Sequence, residues 1–272
     1  MKLLTNVMRC ASIASIFSSF VGPVVEMAGG TDGFSMRASV RPPRARANRK
    51  ARAELPGARL RRTVRAMSAS RFSVLLLAAV LAVLVWSGIA PHDRFTWWLE
   101  VAPTIIGLAV LIPTHRRFPL TPLVSALIAL HMAILCVGGK YTYALVPLGD
   151  WAREAFHLSR NHYDRLGHFA QGLVPAMIAR ELFIRWKTIP SWRWRAFLIV
   201  CVCLAISALY ELIEWLVALA SGAASDSFLG TQGDVWDTQT DMALALAGAV
   251  CALVFLGKWH DGQLARADLR LG

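Results

Sequence analysis

Six long apolar segments dominate the sequence and restrict its fold. Each is long enough, at about 1.5 Å per helical residue, to cross or nearly cross about 30 Å of hydrocarbon. Because water is absent there, a spanning segment must satisfy its own backbone hydrogen bonds, as a helix does. The sequence therefore predicts an all-α, polytopic membrane bundle of about six transmembrane helices. The predicted spans are residues 73–90, 97–113, 122–138, 164–183, 196–219 and 240–256.

Positive charge is concentrated before the first span. Residues 1–72 hold fourteen Lys or Arg and three acids, whereas the rest of the chain is almost neutral. The formal charge of +12 therefore describes a basic leader, and we expect no nucleic-acid partner. Its richness in Arg, Pro and Ala indicates disorder. The sequence thus predicts a disordered leader (1–72), a membrane domain (73–258) and a cytoplasmic tail (259–272).

The leader has three interpretations. Translation could start at Met67, since Met67 and a few polar residues precede an apolar helix, as at an ordinary membrane-protein start. Alternatively, the Arg-rich and acid-poor segment is a transit peptide, or a polybasic arm that touches anionic lipid headgroups. The sequence favours the first interpretation and leaves the other two open.

The distribution of Lys and Arg predicts the orientation of the bundle. Basic residues are grouped in the leader, at residues 116–117, across residues 185–195 and in the tail. The alternate connections are poor in them, and residues 219–240 contain none. Because cytoplasmic loops carry the excess of positive charge, both termini should be cytoplasmic. Residues 140–163 should then lie outside, with a short amphipathic helix around residues 150–154.

Polar residues begin the fourth predicted span. Asp164 and His168 are four residues apart and Gln171 follows, so the three side chains share one face of a helix. Gly167 and Gly172 would let a neighbouring helix approach closely. We interpret these polar residues as a site in which Asp164 orients His168, or in which Asp164 and His168 share one ligand. The alternative is a helix-capping Asp beside a tolerated interfacial His.

Two carboxylates lie in the outer part of the fifth predicted span. Glu211 and Glu214 occupy adjacent helical turns, where they repel each other unless they share a proton, a cation or a base. Glu214 could reach the interface, but Glu211 lies deeper, with Tyr210 as a hydrogen-bond donor beside it. Ionisable groups at membrane depth are costly and mark function by default. Both carboxylates therefore join a candidate pocket.

The end of the connection before the sixth span and the start of that span add three acids to the candidate pocket. Asp234 and Asp237 are close together, and Asp241 follows four residues later on the same helix face. Asp237 could simply cap this helix, whereas Asp241 lies beyond a cap position and is better evidence for a site. Gly248 offers a close-packing point on the Asp241 face.

The predicted orientation puts all these acids on the outer side of the membrane. Glu100, near the start of the second span, could join them. The candidate polar pocket consists of Asp164, His168, Gln171, Glu211, Glu214, Asp234, Asp237 and Asp241.

Several motifs resemble those of a known family. They are YDRLGHFAQG at 163–172, REL at 180–182, YELIEW at 210–215 and the stretch 230–242. In this order they resemble the YjdF-type inner membrane proteins (DUF2238) over about residues 73–258. The resemblance implies a multipass protein of the bacterial inner membrane, embedded in the lipid bilayer, without an established activity. It therefore implies no catalytic residues.

Two further observations concern that resemblance. The leader departs from the family pattern, which favours a start near Met67. Asp164, His168 and Asp241 also resemble residues of the VanZ-like membrane proteins, but this second similarity rests on few residues.

Three functions fit the candidate pocket. A non-catalytic protein would use it to bind an envelope lipid, a cation or a protein partner. A metal-dependent hydrolase or transferase on lipid or envelope substrates would take His168, Glu211 and Asp241 as ligands of a divalent cation. A proton- or cation-coupled transporter would use the carboxylates as a relay, although none lies clearly at mid-membrane. The pocket has one His and the sequence has no nucleophile motif, so whether the protein is an enzyme stays open. Of the three functions, the sequence favours the first, non-catalytic binding.

Overall fold

The computed structural model describes residues 56–221 and 232–271, with side chains for residues 71–220 and 232–266. Within these ranges the chain is helical and has no strand. A π-helical turn, Ala252–Leu256, joins the last two helices. The helices are α1 (Pro56–Gly88), α2 (Arg94–Thr114), α3 (Pro122–Tyr141), α4 (Pro147–Ala155), α5 (Tyr163–Arg185), α6 (Trp192–Ser221), α7 (Asp237–Cys251) and α8 (Gly257–Leu271).

In the described ranges, five stretches are long and apolar enough to cross a membrane. They are Arg71–Gly88, Arg94–Thr114, Pro122–Tyr141, Trp192–Ala220 and Asp237–Arg266, the last of which runs from α7 into α8. Helix α5 has 23 residues and is also long enough, but charged and polar residues at both of its ends lower its hydropathy. The predicted all-α, polytopic membrane fold is therefore confirmed. A sixth span, formed by α5, stays a prediction.

Helix α5 lies at the centre of the bundle. It packs against α3, α6 and α7, and its contact with α7 is the most extensive between any two helices of the described structure. The core between them contains Val174 and Met177 of α5, with Ile128 of α3, Ile199 of α6 and Ala249 of α7. Most of these apolar side chains are small or branched, which lets the helices approach along their length.

Two glycines set the closeness of α5 and α7. A Cβ atom on Gly172 would overlap the backbone carbonyl of Ala245, and one on Gly248 would overlap the carbonyl of Phe169. The close-packing role predicted for both glycines is confirmed. Gly167 differs, because it faces the ring of Tyr143 in the connection after α3 and not a neighbouring helix.

The helices extend further than the predicted boundaries. Helix α1 begins at Pro56, so residues 56–72, which we assigned to a disordered leader, belong to the first helix; their Ala, Leu and Arg are good helix formers. Residues 1–55 lie outside the described residues. Helix α8 reaches Leu271, and its His260 and Leu264 are buried. The segment 259–266, assigned to the tail, is thus packed on the bundle.

The connection between α3 and α5 contains the predicted short helix. Helix α4 covers Pro147–Ala155, with Asp150 in its first turn and Arg153 in its last. Leu148 and Trp151 are exposed on it. A short amphipathic helix with an exposed apolar face is typical of a segment that lies at a membrane interface.

Candidate functional site

Helix direction brings the predicted site residues to one end of the bundle. Helices α2, α5 and α7 begin at this end, whereas α1, α3 and α6 end there. Asp164 is in the first turn of α5, Asp241 is in the second turn of α7 and Glu211 lies near the end of α6. We call this the polar end. The opposite end, which we call the basic end, carries Arg116, Arg117 and the connection between α5 and α6.

His168 is the centre of the polar end. Its Nε2 atom lies 3.4 Å from Asp164 Oδ1 and 3.9 Å from Asp241 Oδ2. Its Nδ1 atom lies 3.1 Å from Gln171 Oε1 and 3.7 Å from Glu211 Oε1. Only 6% of His168 is exposed. Three helices thus present carboxylates to a single buried imidazole.

Three of these residues have the geometry of a metal-ligand set. One ligand atom each from Asp164, His168 and Asp241 lies within 4.8 Å of the others. In the described part of the chain, Asp241 Oδ1 and Glu211 Oε1 are buried without a hydrogen-bond partner. Leaving a buried carboxylate oxygen unpaired costs about 1–3 kcal/mol or more. A cation bound by the Asp241 carboxylate would remove that cost for its oxygen.

Glu214 lies one turn after Glu211 on α6 and is partly buried. Its charged neighbours are Glu211, Asp164, His168 and Glu100. It therefore faces the same region from the end of α6, as the sequence predicted, although farther out than Glu211.

Asp234 and Asp237 belong to a separate layer of ion pairs. Arg160 Nη1 lies 2.7 Å from Asp237 Oδ1 and 3.6 Å from Asp234 Oδ2. Arg165 Nη2 lies 3.0 Å from Asp234 Oδ2. The helix-capping role suggested for Asp237 is wrong, because Trp236 occupies the N-cap position and Asp237 is the first residue of α7. Both acids therefore stabilise the loops above the site and do not contact His168.

The same layer includes an amide pair that the sequence did not indicate. Asn161 donates its backbone N–H to Gln232 Oε1, and Gln232 Nε2 donates back to the Asn161 carbonyl. The Asn161 side chain donates to the Val146 carbonyl. Burial lowers the pKa of His162 in this loop, and Arg165 and Arg160 beside it lower it further. The loop before α5 is thus fixed to the loop before α7.

Glu100 joins the polar end from α2. It is buried, and the Tyr210 hydroxyl donates to its Oε2 at 3.1 Å. We expected Tyr210 to serve Glu211, but on α6 these consecutive side chains point in different directions. Tyr143 also faces Glu100, and burial, together with the Glu100 charge, raises the pKa of the Tyr143 hydroxyl well above its ordinary value. The Tyr143 hydroxyl therefore stays protonated and can donate a hydrogen bond at physiological pH.

A second buried network lies at the basic end. Glu181 of α5 is fully buried and accepts hydrogen bonds from the Thr121 backbone N–H and hydroxyl at 3.0 and 2.7 Å. Arg185 Nη1 lies 3.0 Å and His260 Nε2 lies 3.1 Å from its oxygens. The sequence did not indicate His260, because this residue follows the last apolar segment, where residues are normally solvated. Since each carboxylate oxygen is satisfied, this network has the character of a structural junction.

Comparison with known proteins agrees with this architecture. The family model described as "Predicted membrane protein (DUF2238)" matches residues 72–262. The "Inner membrane protein YjdF" of Escherichia coli (strain K12) is 55% identical over 190 residues, which cover 70% of this chain and 91% of that protein. No solved structure matches the chain significantly. The chain therefore belongs to the DUF2238 family and is a multipass protein of the bacterial inner membrane. The resemblance drawn from its motifs is confirmed, whereas the similarity to VanZ-like proteins stays a prediction.

Proposed function

We propose that this member of the DUF2238 family binds a divalent cation at the polar end, on the extracytoplasmic side of the inner membrane. Asp164, His168 and Asp241 are the ligands, and Glu211 lies near the other ring nitrogen of His168, Nδ1. The observation that carries the proposal is the approach of three ligand atoms to within 4.8 Å of one another. A buried oxygen of Asp241 without a partner in the described structure points to the same place.

Charge balance supports a cation. Arg160 and Arg165 already pair with Asp237 and Asp234. The other carboxylates of the polar end do not have Arg or Lys partners of this kind in the described structure. They lie around a single imidazole, that of His168. Such a group of buried acids either shares protons or binds a cation, because repulsion between unscreened carboxylates at short range is large. The carboxylates concerned are Glu100, Asp164, Glu211, Glu214 and Asp241.

The donor types indicate the class of cation. One imidazole nitrogen together with carboxylate oxygens is a mixed donor set, which suits Mn²⁺, Fe²⁺ or Zn²⁺ better than Ca²⁺ or Mg²⁺. Gln171 lies beside the other ring nitrogen of His168 and would fix the orientation of the imidazole, as outer-shell partners of metal ligands do. The imidazole Nε2 is then directed at Asp164 and Asp241.

A catalytic use of this site is the second candidate function. A cation held by Asp164, His168 and Asp241 leaves the Glu211 carboxylate near His168 Nδ1, with Oε1 buried and unpartnered in the described structure. A carboxylate in that position could take a proton from a water activated by the metal. The corresponding activity is metal-dependent hydrolysis or group transfer on an envelope lipid.

Metal analysis of the purified protein tests the proposal. Protein in detergent is stripped with a chelator and titrated with Mn²⁺ and Zn²⁺, and bound metal and the unfolding temperature are measured. We expect about one ion per chain, and a stabilisation of about 2.7 kcal/mol at a hundredfold excess over Kd. Asp241→Asn and His168→Ala should remove both effects. Asp150→Asn, at a partly exposed ion pair on α4, is the matched control and should remove neither.

Two results would contradict the proposal. One is the absence of bound metal at saturating concentration in the wild-type protein. The other is unchanged metal binding in both site variants. A stabilisation of the metal-free protein by Asp241→Asn, without any metal effect, would favour the shared-proton alternative.

A further inference from the structure

We propose that an apolar groove at the basic end binds one acyl chain of an anionic phospholipid, whose headgroup lies against the arginines at the mouth of the groove. The groove is separate from the cation site, because it lies between α1, α2 and α3 and contains no residue of α5, α6 or α7. It has a volume of about 180 Å³. Its walls include Leu77, Val80, Leu108, Leu111, Ile128 and Met132.

The groove runs along the helices from the membrane surface towards the middle of the bundle. On α3 its lining extends from Leu120, just before the helix, to Met132. Ser125 and Met132 alone are about 10 Å apart along the axis at 1.5 Å per residue. An elongated, apolar cavity that follows the membrane normal has the shape of a lipid chain and not of a compact polar ligand.

The mouth of the groove is polar and basic. Ser73 and His115 line it, and the exposed Arg116 and Arg117 follow His115 directly. No acidic residue is among its lining residues in the described structure. The ring of Phe118, which also lines the groove, lies 3.5 Å from the Arg185 guanidinium carbon. The mouth therefore complements a phosphate in charge, and guanidinium groups are the preferred partners of phosphate oxygens.

The sequence adds positive charge to the same end. The apolar part of α1 begins at Arg71, and the helix itself begins at Pro56, with several arginines between them in the sequence. Each Lys or Arg near a membrane surface favours anionic over neutral lipid by about fivefold. Two arginines at the mouth should therefore favour an anionic headgroup by about 25-fold.

Lipid retention measured by native mass spectrometry tests this inference. Delipidated full-length protein in detergent is incubated with equal amounts of phosphatidylglycerol and phosphatidylcholine that have identical acyl chains. The wild-type protein should retain one phosphatidylglycerol in strong preference to phosphatidylcholine. Ala129→Phe, which fills the groove, should abolish that retention. Ala78→Phe, on an exposed face of α1 outside the groove, should not.

A charge variant keeps the inference testable if filling the groove disturbs folding. Arg116→Gln with Arg117→Gln changes only exposed side chains. It should lower the preference for phosphatidylglycerol by about 25-fold and leave the weak retention of phosphatidylcholine unchanged. Lys187→Gln with Arg193→Gln removes the same charge from the connection after α5 and the first turn of α6, and it should leave the preference unchanged. Equal retention of both lipids by the wild type, or a preference that survives Ala129→Phe in folded protein, would overturn the inference.

Discussion

His168 on α5 and Asp241 on α7 approach each other to 3.9 Å between Nε2 and Oδ2. This approach is possible because α5 and α7 are the most closely packed helices of the described bundle. Gly172 and Gly248, farther along the same two helices, have no side chains to hold them apart. The geometry of the candidate site therefore depends on backbone packing deeper in the bundle.

That dependence predicts the effect of adding one methyl group. Gly172→Ala would push a Cβ atom against the Ala245 carbonyl, and because backbone cannot rotate away, the helices must separate. We expect a destabilisation of about 1–3 kcal/mol, together with weaker metal binding at the polar end. Thermal unfolding in detergent and metal titration measure the two effects.

Gly262→Ala is the matched control for Gly172→Ala. No atom lies within 4 Å of the position its Cβ would take, and the residue is exposed on α8. Because Ala is a better helix former than Gly by about 0.8–1.0 kcal/mol, this variant should be as stable as the wild type or more stable. Equal stability of the two glycine variants would show that α5 and α7 are not in close contact.

The buried junction at the basic end predicts a larger loss. Glu181→Ala leaves Arg185 and the fully buried His260 without their shared carboxylate. Removing one partner of a buried ion pair costs about 3–5 kcal/mol, whereas Glu154→Gln at an exposed position should cost little. A double-mutant cycle of Glu181→Ala with His260→Ala should give a coupling of about 0.5–3 kcal/mol. Strict additivity of the two substitutions would contradict the contact.

The predicted orientation can be tested by labelling single cysteines. Trp151 on α4 and Lys187 after α5 are exposed and lie at opposite ends of the bundle. With a membrane-impermeant maleimide, Trp151→Cys should react in spheroplasts, and Lys187→Cys should react only after the inner membrane is disrupted. The wild-type protein, whose four described cysteines are buried or partly buried, measures the background. The reverse pattern would place both termini outside.

Asp93 at the start of α2 predicts a pH-dependent contribution to stability. The Thr96 backbone N–H donates to Asp93 Oδ1 and lowers the pKa of this carboxyl below its ordinary value of 3.8. Because the folded pKa is the lower one, the stabilisation is present above about pH 4 and is lost as the pH falls through the folded value. Asp93→Ala should therefore cost about 1 kcal/mol at pH 7 and less at pH 3. Unfolding at both pH values measures the difference, and a cost that does not fall with pH would exclude the charged cap.

Much of the architecture could be predicted from the sequence because bilayer thickness and backbone hydrogen bonding dictate it. Once the direction of each helix alternates, Asp164, Glu211 and Asp241 must come to the same end. The spacing of Asp164 and His168 puts them on one helix face, whatever the neighbours are. These conclusions need only local geometry and the membrane.

The partners of individual side chains depend on tertiary packing and could not be predicted. Arg160 is one of several basic residues in a polar loop, and nothing local distinguishes it as the partner of Asp237. His260 follows the last apolar segment, and only the continuation of α7 through the π-helical turn into α8 brings it to Glu181. Asp234 and Asp237 lie in an ion-pair layer apart from His168 because Arg160 and Arg165, which are distant in sequence, pair with them.

The position of a bound cation shows whether Asp164, His168 and Asp241 form one metal site. Crystals or cryo-EM samples of the protein prepared with Mn²⁺ can be examined for density at the polar end, with anomalous scattering to identify the metal. We expect one Mn²⁺ peak between His168 Nε2, Asp164 and Asp241, at about 2.0–2.3 Å from each ligand atom. The peak should be lost in Asp241→Asn. Metal bound only elsewhere, or side chains of His168 and Asp241 that point to different faces, would contradict this expectation.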